Sequence, residues 1–91
     1  MDLNTIAQAL RAKFPDLEVA VDDGDEETHL PFLALQRPDR TIVAVVAETL
    51  DFGYRCCNVA QNSSFEVRSV AAALEICADA QRDRKRLDNW K

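Results

Sequence analysis

Four side chains have the chemistry of soft-metal ligands or nucleophiles: Cys56, Cys57, Cys77 and the only histidine, His29. Zinc sites usually draw their ligands from closely spaced pairs such as C-x-x-C, which this sequence lacks. The adjacent Cys56 and Cys57 fall in a predicted strand, where successive side chains point to opposite faces, so they would not bind one ion together. We therefore expect cysteines of the core or sheet, with no metal and no cofactor, and keep a metal or redox role as the alternative.

Enzyme motifs are missing from the rest of the chain. A Cys–His nucleophilic pair is formally available, but no local signature supports it. The sequence holds no glycine-rich phosphate loop, no G-x-S-x-G elbow and no H-E-x-x-H, and its two glycines, Gly24 and Gly53, offer little to build a ligand-binding loop. We expect a protein that is not an enzyme.

The charge is concentrated in two segments of opposite sign. An acidic segment carries seven acids and no base: Asp16, Glu18, Asp22, Asp23, Asp25, Glu26 and Glu27. Its spacing does not match a calcium loop, so a solvated turn after a strand is the simplest interpretation. The tail 82–91 is basic, with Arg82, Arg86 and the aromatic Trp90 among its residues. Asp79, just before the tail, and Asp83, within it, are spaced to pair with Arg82 and Arg86.

The overall composition limits the partners. The 91 residues suffice for one domain, 1–91, and carry a net charge of −5, which disfavours direct binding of nucleic acid or anionic membrane. No apolar run approaches the roughly 20 residues of a membrane span, and residues 1–4 do not resemble a signal peptide. We expect a cytoplasmic protein without a membrane partner.

Periodicity predicts the elements that position these residues. Asp2 is predicted to cap a first helix, which has an apolar stripe at i, i+3, i+4 and i+7. Pro15 ends this helix. Strands are predicted from the alternation of residues 17–22, from the largely apolar segments Leu30–Arg37 and Thr41–Glu48, and at Tyr54–Gln61. Ser63 and Glu66 have the capping-box spacing that predicts the start of a second helix, which runs to about Asp88.

These elements predict an α+β fold: a helix, a four-stranded antiparallel meander and a long C-terminal helix, α-β-β-β-β-α. The connections are too short for parallel pairing. The second and third strands are apolar on both faces, although two helices comfortably cover only one face. Either the helices lie on opposite faces of the sheet, or the uncovered face contacts another protein. The tail 82–91 is expected to project beyond the small body.

Two functions fit these features. The first is a small acidic protein-binding module, adaptor or chaperone-like, that forms a homodimer. In size, charge and element order the chain resembles small acidic secretion chaperones, an architectural resemblance that assigns no functional residues. The second is an inhibitor of the phage type, whose acidic surface mimics nucleic acid. The predicted protein-binding residues are Asp22, Asp23, Asp25, Glu26, Glu27, Arg82, Arg86 and Trp90.

Overall fold

The structure, a computed structural model, describes residues 2–25, 30–51 and 53–89. Within them the chain forms two helices and five strands in the order α-β-β-β-β-β-α. The bounds are α1 Leu3–Lys13, β1 Glu18–Asp22, β2 Phe32–Gln36, β3 Ile42–Glu48, β4 Tyr54–Asn58, β5 Ser63–Val67 and α2 Val70–Asn89.

The first helix forms as its capping signals predict. Asp2 is the N-cap, and its Oδ1 accepts a hydrogen bond from the backbone N–H of Thr5 at 2.8 Å. This hydrogen bond lowers the pKa of the Asp2 carboxyl below its usual value. Leu3, Ile6 and Leu10 lie on the buried stripe. The helix ends before Pro15, where the backbone N–H of Phe14 still donates to the carbonyl of Leu10.

The sheet is an antiparallel meander in the order β1-β2-β3-β4-β5. The α+β class and the antiparallel pairing are confirmed, but the predicted number of four strands is wrong. The missing strand is β5, where a capping box was predicted. Asn62 adopts a left-handed conformation, with φ of 54°, and turns the chain so that residues 63–67 pair with β4.

The second helix consequently starts later than predicted. Ser69 provides the cap instead of Ser63, because its Oγ accepts the backbone N–H of Ala72 at 3.1 Å. Ser63 and Glu66 both lie in β5, so their side chains form no capping box. The far end of the helix agrees with the sequence, since α2 continues to Asn89.

Both helices lie on the same face of the sheet. α1 packs on β1 and β2, α2 packs on β3, β4 and β5, and the helices contact each other. One core cluster joins the two helices to alternate residues of the sheet, including Leu33, Leu35, Val46, Cys56 and Val67. The opposite face of the sheet has no helix over it among the described residues, so the helices do not lie on opposite faces; contact of that face with another protein stays a prediction.

Candidate protein-binding surface

The face of the sheet away from the helices, here called the open face, is defined by the strand register. Its central row crosses all five strands, because each residue is the cross-strand partner of the next. The row consists of small side chains: Ala20, Ala34, Val45, Cys57 and Ser64. Strand side chains alternate between faces, so the neighbours of these residues point into the core.

Burial supports this assignment. Ala34 is only 7% exposed, yet it is not part of the core cluster that joins the helices to the sheet. Val45 and Cys57 are half-buried and are also outside that cluster. These side chains are shielded mainly by their neighbours on the same face of the sheet. The open face is therefore apolar at its centre but accessible to another molecule.

A β-bulge extends the apolar character of the open face. The register between β2 and β3 shifts so that Leu35 pairs with Ala44 and Gln36 pairs with Ile42, leaving Val43 between them. Val43 and Ala44 both join the core, whereas Ile42 is 42% exposed. Ile42 therefore shares the open face with Gln36, its partner across the strands.

Charge is unequal between the two ends of the open face. At the β1 end, Glu18 and Asp22 flank Ala20 on the same side of the strand, and both are exposed. At the other end, Arg55 and Glu66 are cross-strand partners, so opposite charges lie side by side. The open face thus has an acidic end at β1 and a balanced end at β4 and β5.

The predicted acidic binding residues lie at that acidic end. Asp22, Asp23 and Asp25 are exposed at the end of β1 and in the turn after it. The Asp22 carboxylate also accepts the backbone N–H of Gly24 at 2.8 Å, a local turn contact. Glu26 and Glu27 lie outside the described residues.

The predicted basic residues are on the other layer of the molecule. Arg82 and Arg86 are exposed on α2, and Arg82 donates to the Asp79 carboxylate at 2.7 Å. Arg82 also lines a groove with Phe65, so it lies near β5, at the sheet edge opposite the acidic end. The structure does not bring the acidic and basic groups together, and Trp90 lies outside the described residues.

The end of α2 is held to the sheet by polar contacts. The Asp83 carboxylate accepts hydrogen bonds from Asn58 at 2.9 Å and from the Gln61 side chain at 2.6 Å. Asn58 is a buried polar residue, only 3% exposed. One turn further on, Asp88 forms an ion pair with Arg37. The contacts of Asp83 and Asp88 hold this part of α2 to the strands, and the projection of the tail 82–91 stays a prediction.

The cysteines separate as the strand pattern predicts. Cys56 points into the core, where its Sγ lies 3.8 Å from the Sγ of Cys77, and Cys57 lies on the open face. The contact with Cys56 and burial raise the pKa of the Cys77 thiol far above its usual range. Among residues 2–25, 30–51 and 53–89, no three His, Cys, Asp or Glu side chains are grouped to hold a metal ion. His29 is outside these ranges.

The central row of the open face was not among the residues predicted from sequence. The sequence signal for this surface was the apolar character of β2 and β3 on both faces. It indicated a possible contact with another protein but not which residues would form it. Ala20, Ala34 and Cys57 carry no signal of their own, because nothing in the local sequence distinguishes a small residue on this face from one in the core. Only the register of five strands assembles them into one row.

Comparison with known proteins adds no relative. No protein-family profile matches the chain, and no curated protein or solved structure is significantly similar to it. Neither helix in the described part of the chain is long and apolar enough to cross a membrane. A function for the chain must therefore be inferred from its own sequence and surfaces.

Proposed function

We propose that this chain is a small non-enzymatic protein-binding module, adaptor or chaperone-like, that also self-associates. The observation that carries the proposal is the open face of the sheet. Both helices pack on one side, so the row of small side chains across five strands, apolar in four of them, has no helix over it in the described part of the chain. Contiguous apolar surface of this kind typically marks a contact with another protein.

The shape of the open face favours an elongated partner segment. With strands about 4.8 Å apart, the central row spans roughly 19 Å. Its side chains are no larger than valine, and larger ones stand on either side, including Ile42 and Phe32. A partner could lay a row of apolar side chains along this shallow trough, and the gain would come from apolar area removed from water.

Charge complementarity indicates the chemistry of the partner. Glu18 and Asp22 give the β1 end of the trough a negative potential, and Asp23 and Asp25 lie just beyond it. We expect a partner segment with an apolar stripe and lysine or arginine side chains at one end. The basic end fixes the orientation and speeds association, while the apolar stripe supplies most of the affinity.

The experiment compares two variants that introduce the same charge. Val45→Glu places a carboxylate in the centre of the open face, and Ala71→Glu places one on the exposed surface of α2. Tagged wild-type protein and both variants are used to capture partners from a lysate at low and high salt. We expect a partner that is retained at high salt by the wild type and by Ala71→Glu but lost with Val45→Glu.

Three outcomes have distinct meanings, provided circular dichroism shows both variants folded. Loss of the partner with Val45→Glu alone supports the open face. Equal retention by all three proteins would contradict it. Equal loss with both variants would mean that added negative charge, and not its position, prevents binding, which also contradicts the open face as the docking surface.

Mimicry of nucleic acid is the second candidate, and one observation favours it. Every described acid of the segment 16–25 is exposed, so these carboxylates form a negative edge along β1 and its turn. A nucleic-acid-binding enzyme captured through this edge would be released at high salt, because interactions between exposed charges are screened. Its capture would survive Val45→Glu and be lost on changing Asp22, Asp23 and Asp25 together to asparagine.

A further inference from the structure

The two edges of the sheet expose different amounts of unpaired backbone. The backbone N–H of Val59, just after β4, donates to the carbonyl of Val43 at 3.2 Å, on the β3 side. By alternation, the backbone of Cys56 faces β5, where its register partner is Phe65. The N–H and C=O groups of Ser64 and Glu66 therefore point away from the sheet, along the outer edge of β5.

The outer edge of β1 is partly protected. The same alternation turns the backbone of Val19 outward, and the Arg11 side chain of α1 donates to the Val19 carbonyl at 3.3 Å. If β1 paired with a second β1 about Ala20, Glu18 of one copy would lie opposite Asp22 of the other, which is unfavourable. Charged side chains and a covered backbone group at an edge strand are among the means by which proteins discourage pairing there.

The outer edge of β5 has neither protection. Among the described residues, no hydrogen bond reaches the outward backbone groups of Ser64 or Glu66. The strand contains no proline and no lysine. Its central side chain, Phe65, is 48% exposed although it lies on the helix side of the sheet. An unpaired edge with an exposed aromatic side chain is a ready template for a further strand.

We propose that a second copy of this chain pairs with the edge of β5, antiparallel and about a two-fold axis at Phe65. Two five-stranded sheets then join into one of ten strands. The inference rests on the self-association that is part of the proposed function. In this register Phe65 lies opposite Phe65 of the second copy as a non-hydrogen-bonded pair, with Cα atoms about 4.5 Å apart. Ser64 and Glu66 of opposite copies exchange about four backbone hydrogen bonds.

Charge complementarity favours this register. Arg55 donates to the Ser64 hydroxyl at 3.4 Å, on the open face. Glu66 of the second copy would lie opposite Ser64 and so close to the Arg55 guanidinium. By symmetry the contact occurs twice. A register centred on Glu66 would instead place two like charges opposite each other, and such pairs are destabilising.

The contact is small, so the dimer should depend on concentration. A single strand pair with one aromatic contact buries less than the roughly 1,200 Å² typical of stable complexes, and such interfaces are weak. We expect half-dissociation in the micromolar range or above. The open faces of both copies remain free and become continuous in the joined sheet, which doubles the length of the trough proposed to bind a partner.

The experiment uses the self-opposition of Phe65 at the two-fold axis. Phe65→Lys and Phe65→Glu each place like charges opposite each other and should weaken the dimer about tenfold or more. An equimolar mixture of the two variants places opposite charges together and should restore association. The matched control is Ile42→Lys, because Ile42 is similarly exposed but lies on the open face. Sedimentation velocity over a range of concentrations measures association, and circular dichroism confirms that each variant is folded.

The outcomes separate this inference from the proposed binding function. Weakened dimers with each Phe65 variant, recovery in the mixture and an unaffected Ile42→Lys dimer support pairing through β5. A wild-type chain that is monomeric at all concentrations overturns it, as does a mixture that fails to associate. A dimer broken by Ile42→Lys alone would place the second copy on the open face. Partner capture by monomeric Phe65→Lys tests the open face independently of the dimer.

Discussion

A matched pair of substitutions in β3 tests whether the sheet is covered on one side only. Val45 and Val46 are adjacent, but Val46 is fully buried under the helices and Val45 is half-buried on the open face. Threonine has nearly the shape of valine and the same branching at Cβ, so it preserves the strand preference at both positions. Changing each valine to threonine therefore alters mainly the polarity at that position.

The magnitudes follow from burial. At Val46 the new hydroxyl would enter the core between Leu33 and Cys56, its cross-strand neighbours, and lose its hydration. Burying a hydroxyl without a hydrogen bond costs about 1–3 kcal/mol in proteins. At Val45 the hydroxyl still reaches water, and exposed substitutions usually change the free energy of unfolding by less than about 0.5 kcal/mol. We expect melting temperatures lower by roughly 5–20 °C for Val46→Thr and nearly unchanged for Val45→Thr.

Urea unfolding followed by circular dichroism measures both variants against the wild type at one low protein concentration. The slopes with urea should agree, so that differences in midpoint report stability. Equal losses at the two positions would refute the assignment of Val45 to an uncovered face. A larger loss at Val45 would reverse the two faces of β3 and with them the whole open-face proposal.

Three further predictions concern other parts of the molecule. A thiol reagent such as a dinitrobenzoate disulfide should modify Cys57 rapidly in the folded protein and reach the two core thiols only on unfolding; fast reaction of all three would contradict their burial. Asp83→Ala should destabilise the fold by about 1–3 kcal/mol in urea unfolding, because it leaves the buried Asn58 amide without its acceptor; an unchanged midpoint would show that water replaces the contact. The pKa of Asp2 is lower in the folded protein than its usual value of 3.8, so the charged carboxylate stabilises the fold fully at pH values above 3.8. This stabilisation is lost as the pH falls through the folded-state pKa. Melting curves between pH 5 and 2 should therefore show a shallower acid limb for Asp2→Asn, and identical limbs would contradict this role.

Where the determining contacts are local, the sequence predicted the structure well. The first helix follows from Asp2, the apolar stripe and Pro15, all within one segment of chain. The alternation of residues 17–22 likewise predicted β1 because period two is a property of the strand itself. The late end of α2 was also predicted, since nothing before residue 88 interrupts a helix.

The fifth strand shows where local signals are ambiguous. A serine followed three residues later by glutamate suits a helix cap, and Ser63 and Glu66 have that spacing. The same residues suit a strand once Asn62 turns the chain back along β4. The choice depends on pairing with β4, and Ser69 could provide the helix cap in its place. The spacing of a capping box cannot by itself show whether the same residues could instead form backbone hydrogen bonds with a neighbouring strand.

The binding surface depended even more on tertiary structure. Sequence alone determined that the chain is acidic, that β2 and β3 are apolar on both sides, and that two helices are available to cover them. It could not determine that both helices pack on the same face, because the two faces of β3 are similarly apolar in sequence. The row from Ala20 to Ser64 and the exposed edge of β5 exist only once five strands are in register, since their residues come from distant segments and are individually unremarkable in the sequence.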